Sequence, residues 1–135
     1  MQSYDDNPPP NDFLVPLVHK IQNLYKNIYR LGTKIPKRDK LGIHSLFETI
    51  CLTLMILAIE STFTRGVAKK PMLEKLRVKT EIAKQLLRTE YELSIITDTL
   101  YLDYVSQLVE ISKMTTGWIQ SLPQKPEKEQ NGSFS

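Results

Sequence analysis

Basic side chains at helical spacing are the residues of this sequence whose type and placement could carry chemistry, and that chemistry is the neutralisation of phosphate. Lys26, Arg30 and Lys34 stand four apart, and Lys37, Arg38 and Lys40 follow directly. Lys69 and Lys70 form a second group with Arg65, and Arg77, Lys84 and Arg88 a third. A single lysine is ordinarily solvated surface. The set carries more weight. From Lys20 to Arg88 fifteen basic residues stand against five acids, a net +10, whereas the first nineteen residues carry −3 and the chain after Arg88 −4. The whole-chain value of +3 hides that split. Segregation of this kind predicts a face that binds a polyanion. Tyr29, beside Arg30, could stack on a base, although a tyrosine rimming a core is the commoner arrangement.

Other chemistries lack their residues. A di-iron bundle site needs Glu-x-x-His pairs on two helices, and no glutamate here has a histidine three residues on. The two histidines, His19 and His44, are expected on different helices as solvated or half-buried structural side chains, with no carboxylate motif nearby. Cys51 is the only cysteine, so an internal disulfide and a thiolate zinc site are excluded, and Ile50-Cys51-Leu52 reads as buried core. No phosphate-cradling glycine loop or nucleophile motif is present. The expectation is a binding protein, not an enzyme, with no metal, cofactor or small-molecule substrate.

Helices must position these residues. Only five glycines occur in 135 residues, and none is placed as a hairpin turn requires. Leu14, Leu17, Val18, Ile21, Leu24, Tyr25, Ile28 and Leu31 recur at three- and four-residue steps and predict a first helix from about Leu14 to Gly32, capped by Asp12 and stopped by Gly32 and Pro36. A second helix is expected from Arg38 or Asp39 to about Thr64. Its Ile43, Leu46, Phe47, Ile50, Leu54 and Leu57 make one apolar face, and Leu52, Met55, Ile56 and Ile59 another. A helix apolar on two sides is buried on two sides, so the second face is expected to meet another subunit of a closed homo-oligomer. The third helix should run from Pro71 to about Thr97, and the fourth from Thr99, capped by Asp98, to Leu122 before Pro123. Four helices of about 20 residues joined by short connectors specify an all-α, up-and-down four-helix bundle. The domain is expected over residues 13–122, between a disordered leader at 1–12 and a disordered polar tail at 123–135. No secretory signal is evident near Met1. The longest apolar run, Ile50 to Ile59, has about half the length of a membrane span. A cytoplasmic protein without membrane contact is expected.

With the helices placed, three elements carry a family resemblance over roughly Leu14 to Leu122. Lys34-Ile35-Pro36-Lys37-Arg38 breaks the first helix from the second, the second helix is strongly apolar, and the fourth closes with Leu108-Val109-Glu110-Ile111-Ser112-Lys113-Met114 followed by Gly117-Trp118-Ile119. Together they resemble the accessory variability determinant (Avd) proteins of diversity-generating retroelements. The 23S rRNA intervening-sequence four-helix proteins are similar more loosely. The resemblance implies a homopentameric barrel that binds RNA or DNA and the retroelement reverse transcriptase, and that supports mutagenic copying of template RNA into cDNA and its transfer to a target gene. The competing expectation is a homo-oligomeric scaffold of the intervening-sequence type, acting through protein or ribosomal contacts.

Overall fold

The computed structural model describes residues 14–123, so Asp12, the leader and the tail from residue 124 lie outside the described residues. The described chain is all-helical: α1 (Leu14–Gly32), α2 (Lys37–Leu41), α3 (Ile43–Phe63), α4 (Lys69–Glu92) and α5 (Asp98–Ser121), with a single 3-10 turn at Gly66–Ala68. Helix α1 packs on α3, α3 on α4, α4 on α5, and α5 returns to α1. Sequence neighbours are therefore space neighbours, and with connectors of a few residues the four long helices run alternately up and down. Helices α1 and α4 lie on one diagonal, α3 and α5 on the other.

Each long helix contributes one buried row. Leu17, Ile21, Leu24 and Ile28 come from α1; Phe47, Cys51, Leu54 and Ala58 from α3; Leu73, Leu76, Ala83 and Leu87 from α4. Leu108, Ile111 and Trp118 come from α5, and all of these side chains are fully buried. Steps of three, four or seven residues within each row keep it on one face. Trp118 is the largest side chain of the core, and the Lys69 ammonium lies 5.8 Å from the centre of its ring. Burial drives the Cys51 thiol up to about 12, with the Glu48 and Glu90 charges adding to the effect, so it stays a protonated core residue.

Three helix boundaries differ from the sequence expectation. The helix expected from residue 38 to residue 64 is two helices, because Gly42 leaves the helical conformation with φ −98° and ψ −114°. A Cβ at that position would stand 3.0 Å from the Arg38 carbonyl oxygen, a tight contact that glycine avoids. Helix α4 ends at Glu92, not near Thr97. The amide of Ser94 donates to the Tyr91 carbonyl at 3.0 Å and that of Ile95 to the Glu90 carbonyl at 2.9 Å. This is the paired hydrogen bonding of a left-handed helix stop, and Ser94 takes the left-handed φ of 62°. Thr97, not Asp98, caps α5, its Oγ1 accepting from the Leu100 amide at 3.2 Å.

Helix α3 has the two apolar faces anticipated. Leu52, Ile56 and Ile59 are exposed, Ile56 by 54%, and Phe63 extends their row at 76% exposure. Met55 departs from the expectation: it is half-buried and packs against the core. The steps 52, 56, 59, 63 alternate four and three, so the outer row has the 3.5-residue period of a helix–helix seam. Both faces together give α3 a mean hydropathy of 1.7 over its most apolar window. By length and composition it could cross a membrane, although the longest uninterrupted apolar run is short. Here one of its faces is built into the bundle between α1 and α4.

Candidate nucleic-acid interface

The cations fall into three groups, set by where the helices carry them. Lys26 and Arg30 project from the outer face of α1, Lys34 from the turn after it, and Lys37, Arg38 and Lys40 from α2, all exposed. The connector holds this group together. Thr33 and Lys34 amides donate back to the Arg30 and Leu31 carbonyls at 3.2 and 2.9 Å, and Pro36 then starts α2, its carbonyl accepting from the Lys40 amide at 2.9 Å. Helix α2 buries none of its residues. Its place in the fold is to carry two lysines and an arginine across the end of the bundle.

Lys69, half-buried against Trp118, and the exposed Lys70 begin α4 at the opposite end. Helices of this length rise about 30 Å, so the two end groups are not one patch. Arg77, Lys84 and Arg88 lie along α4, which is diagonal to α1.

Electrostatics separates the groups further. Three α4 cations have a carboxylate of their own: Arg77 pairs with Glu74, Lys84 with Glu81 at 2.8 Å, and Arg88 with Glu92 at 3.0 Å. Arg77 also donates through Nη1 to Thr116 Oγ1 at 3.4 Å, which turns it into the α4–α5 seam. Lys84 and Arg88, like charges four residues apart, are thus each offset by a carboxylate. In the first group the sole ion pair among the described residues is a loose one, Arg38 to Asp39 at 4.0 Å, with the arginine side chain 95% exposed. Lys26, Arg30, Lys34, Lys37 and Lys40 make none there. The α1–α2 end thus carries a group of cations almost without carboxylate partners, while Arg65, Lys69, Lys70, Lys75 and Lys79, at the opposite end and along α4, also make no ion pair among the described residues.

Beneath that end lies a buried polar centre that sequence reasoning missed. His44, in the first turn of α3, is fully buried, contrary to the solvated or half-buried side chain expected. Its Nε2 donates to the Ile28 carbonyl of α1 at 2.8 Å, and its Nδ1 stands 3.0 Å from Oε2 of the equally buried Glu90 of α4. Glu48, one turn along α3, approaches Nε2 at 3.5 Å. A carbonyl only accepts, so Nε2 carries a proton. A second proton then lies between Nδ1 and the carboxylate, because two acceptors would otherwise face each other. Burial alone would lower the His44 pKa. The hydrogen bonds to Glu90 and to Ile28, with the Glu90 and Glu48 charges, more than offset it, and the net shift is upward. Gly32 allows the approach of α1, since a Cβ there would sit 3.1 Å from Glu48 Oε2 and 3.2 Å from the imidazole Cδ2. The available signal was the four-residue step from His44 to Glu48, together with a glutamate in the apolar row Leu76, Ala83, Leu87, Glu90. The centre ties α1, α3 and α4 beneath the basic end, and both ring nitrogens are committed to protein groups.

Among the described residues no cluster of three or more histidine, cysteine, aspartate or glutamate side chains has the arrangement to hold a metal ion. Compared with models of protein families, with curated proteins and with solved structures, the chain matches none.

Proposed function

We propose that this chain is a non-enzymatic, cytoplasmic accessory protein of a diversity-generating retroelement, a homo-oligomer that binds nucleic acid and the retroelement reverse transcriptase. The observation that carries the nucleic-acid part is the uncompensated cation group at the α1–α2 end, rigidly based on the His44 centre. The partner and the element come from the resemblance in the Lys34–Arg38 break and the Gly117-Trp118-Ile119 close. The nucleic acid is template RNA, its cDNA or their hybrid, held through phosphates with little base preference, since contacts to the backbone carry no sequence information.

The outer row of α3 supports assembly. Leu52, Ile56, Ile59 and Phe63 form an apolar strip that the protomer leaves open, and closed rings bury such strips against a second copy. The resemblance makes the ring a pentamer.

Filter binding of mixed-sequence RNA, DNA and hybrid at several salt concentrations tests the reading, with light scattering on the same preparation. The expected result is retention of all three, with log affinity falling by about 0.9 per neutralised phosphate for each tenfold rise in salt on duplex DNA. Retention of none at about 50 mM salt, with an intact oligomer, would replace it by the scaffold of the intervening-sequence type.

A further inference from the structure

The outer face of α1 carries more than charge. Tyr25, Lys26, Tyr29 and Arg30 line a shallow open hollow of about 260 Å³. Their spacing produces it: two adjacent helical rows, one of tyrosines and one of cations, each stepping four residues. The Tyr25 and Tyr29 rings stand 6.1 Å apart at 41°. Tyr25 is half-buried and packs on the core, which fixes it, whereas Tyr29 is 58% exposed. Lys26 and Arg30 are exposed and make no ion pair among the described residues.

An exposed aromatic ring flanked by free cations is the arrangement that holds unpaired bases, the ring taking the base face and the cations the backbone. The dimensions agree. A four-residue helical step rises about 6 Å, against about 3.4 Å per nucleotide of a stacked strand, so the two rows span one to two nucleotides. A duplex hides its base faces and offers this ring nothing to stack on.

We infer that the Tyr25–Arg30 hollow is a stacking platform for single-stranded nucleic acid, Tyr29 meeting a base while Lys26 and Arg30 hold the neighbouring phosphates. The inference rests on the nucleic-acid reading above and narrows it from polyanions in general to unpaired strands.

Fluorescence anisotropy with three probes of equal length decides it: a single-stranded oligonucleotide, a strand of abasic sites and a duplex. Tyr29→Ala should weaken binding of the single strand by about tenfold or more, and leave the abasic strand and the duplex as in wild type. Tyr29→Phe should bind all three like wild type, because the ring remains. The double variant Lys26→Gln with Arg30→Gln should lose affinity for every probe. Unchanged single-strand affinity in Tyr29→Ala overturns the platform and leaves the phosphate reading standing. Equal loss on all three probes, with a lower assembly state by light scattering, overturns it in favour of a subunit contact. Failure of the wild type to bind any probe removes the broader reading as well.

Discussion

Nδ1 of His44 lies 3.0 Å from Oε2 of Glu90, across two helices and with both side chains fully buried. The upward shift of His44 makes this pair a determinant of stability against pH. A group whose folded pKa lies above its unfolded value stabilises the fold below the unfolded value and loses that contribution as pH rises through the folded one. For His44 the loss begins above its ordinary 6.5. Urea midpoints should therefore fall as pH rises above 6.5 into the alkaline range. Glu90→Gln should flatten that dependence, since an amide N–H can donate to a neutral Nδ1 while Nε2 keeps the Ile28 carbonyl. Glu90→Ala strands the imidazole and should cost about 3–5 kcal/mol. A midpoint in wild type that is level across this range would show that the imidazole does not titrate with folding.

The helix stop that places Glu90 stores a small cost at Ser94, whose φ of 62° suits glycine better than a residue with a Cβ. Ser94 is exposed, so the substitution removes no packing. Ser94→Gly should stabilise the protein by about 0.5–1 kcal/mol, a rise of a few degrees in Tm. Ser94→Val should lower it. The same Tm for all three proteins would mean the turn relaxes at no cost.

What could be read from the sequence was periodicity. The four buried rows, the apolar outer strip of α3 and the Pro36 break all show in residue spacing alone. What could not be read depended on conformations or partners distant in the chain. Gly42 lies just before the apolar period that begins at Ile43, and nothing local distinguishes it from a tolerated glycine within a helix. Ser94 occupies a position where glycine would have announced the stop. His44 and Glu90 are 46 residues apart, so their pairing is a property of the packed bundle. The α4 ion pairs were nearer to hand: Glu74–Arg77, Glu81–Lys84 and Arg88–Glu92 stand three or four apart in the sequence.

The proposed assembly through α3 separates two neighbouring residues. Ile56 is exposed and Met55 packs on the core. Ile56→Glu should lower the number of protomers per particle in light scattering while circular dichroism stays native. Met55→Glu should chiefly lower Tm, because the charge enters the edge of the core. A wild type that is monomeric at micromolar concentration would leave the outer strip to some other occupant.

The last prediction concerns which cations hold phosphate. Charge totals rank Arg77, Lys84 and Arg88 with Lys37, Arg38 and Lys40, but their surroundings differ. A phosphate that approaches α4 must compete with Glu74, Glu81 and Glu92, each already beside its cation. Pairs this close to solvent contribute little to stability, yet the carboxylates repel an incoming anion whether or not the pair is strong. At the α1–α2 end Asp39 is the one carboxylate within ion-pair distance of these cations among the described residues, and only loosely. Replacing Lys37, Arg38 and Lys40 by glutamine should therefore weaken binding and reduce the salt slope on duplex DNA by about 0.9 for each phosphate left without its cation. Replacing Arg77, Lys84 and Arg88 should change the slope less. None of the six residues is buried, so both variants should keep their helicity and assembly state. Equal slope changes in the two variants would mean that α4 also binds phosphate, and a larger change for α4 would move the interface to the opposite side of the bundle.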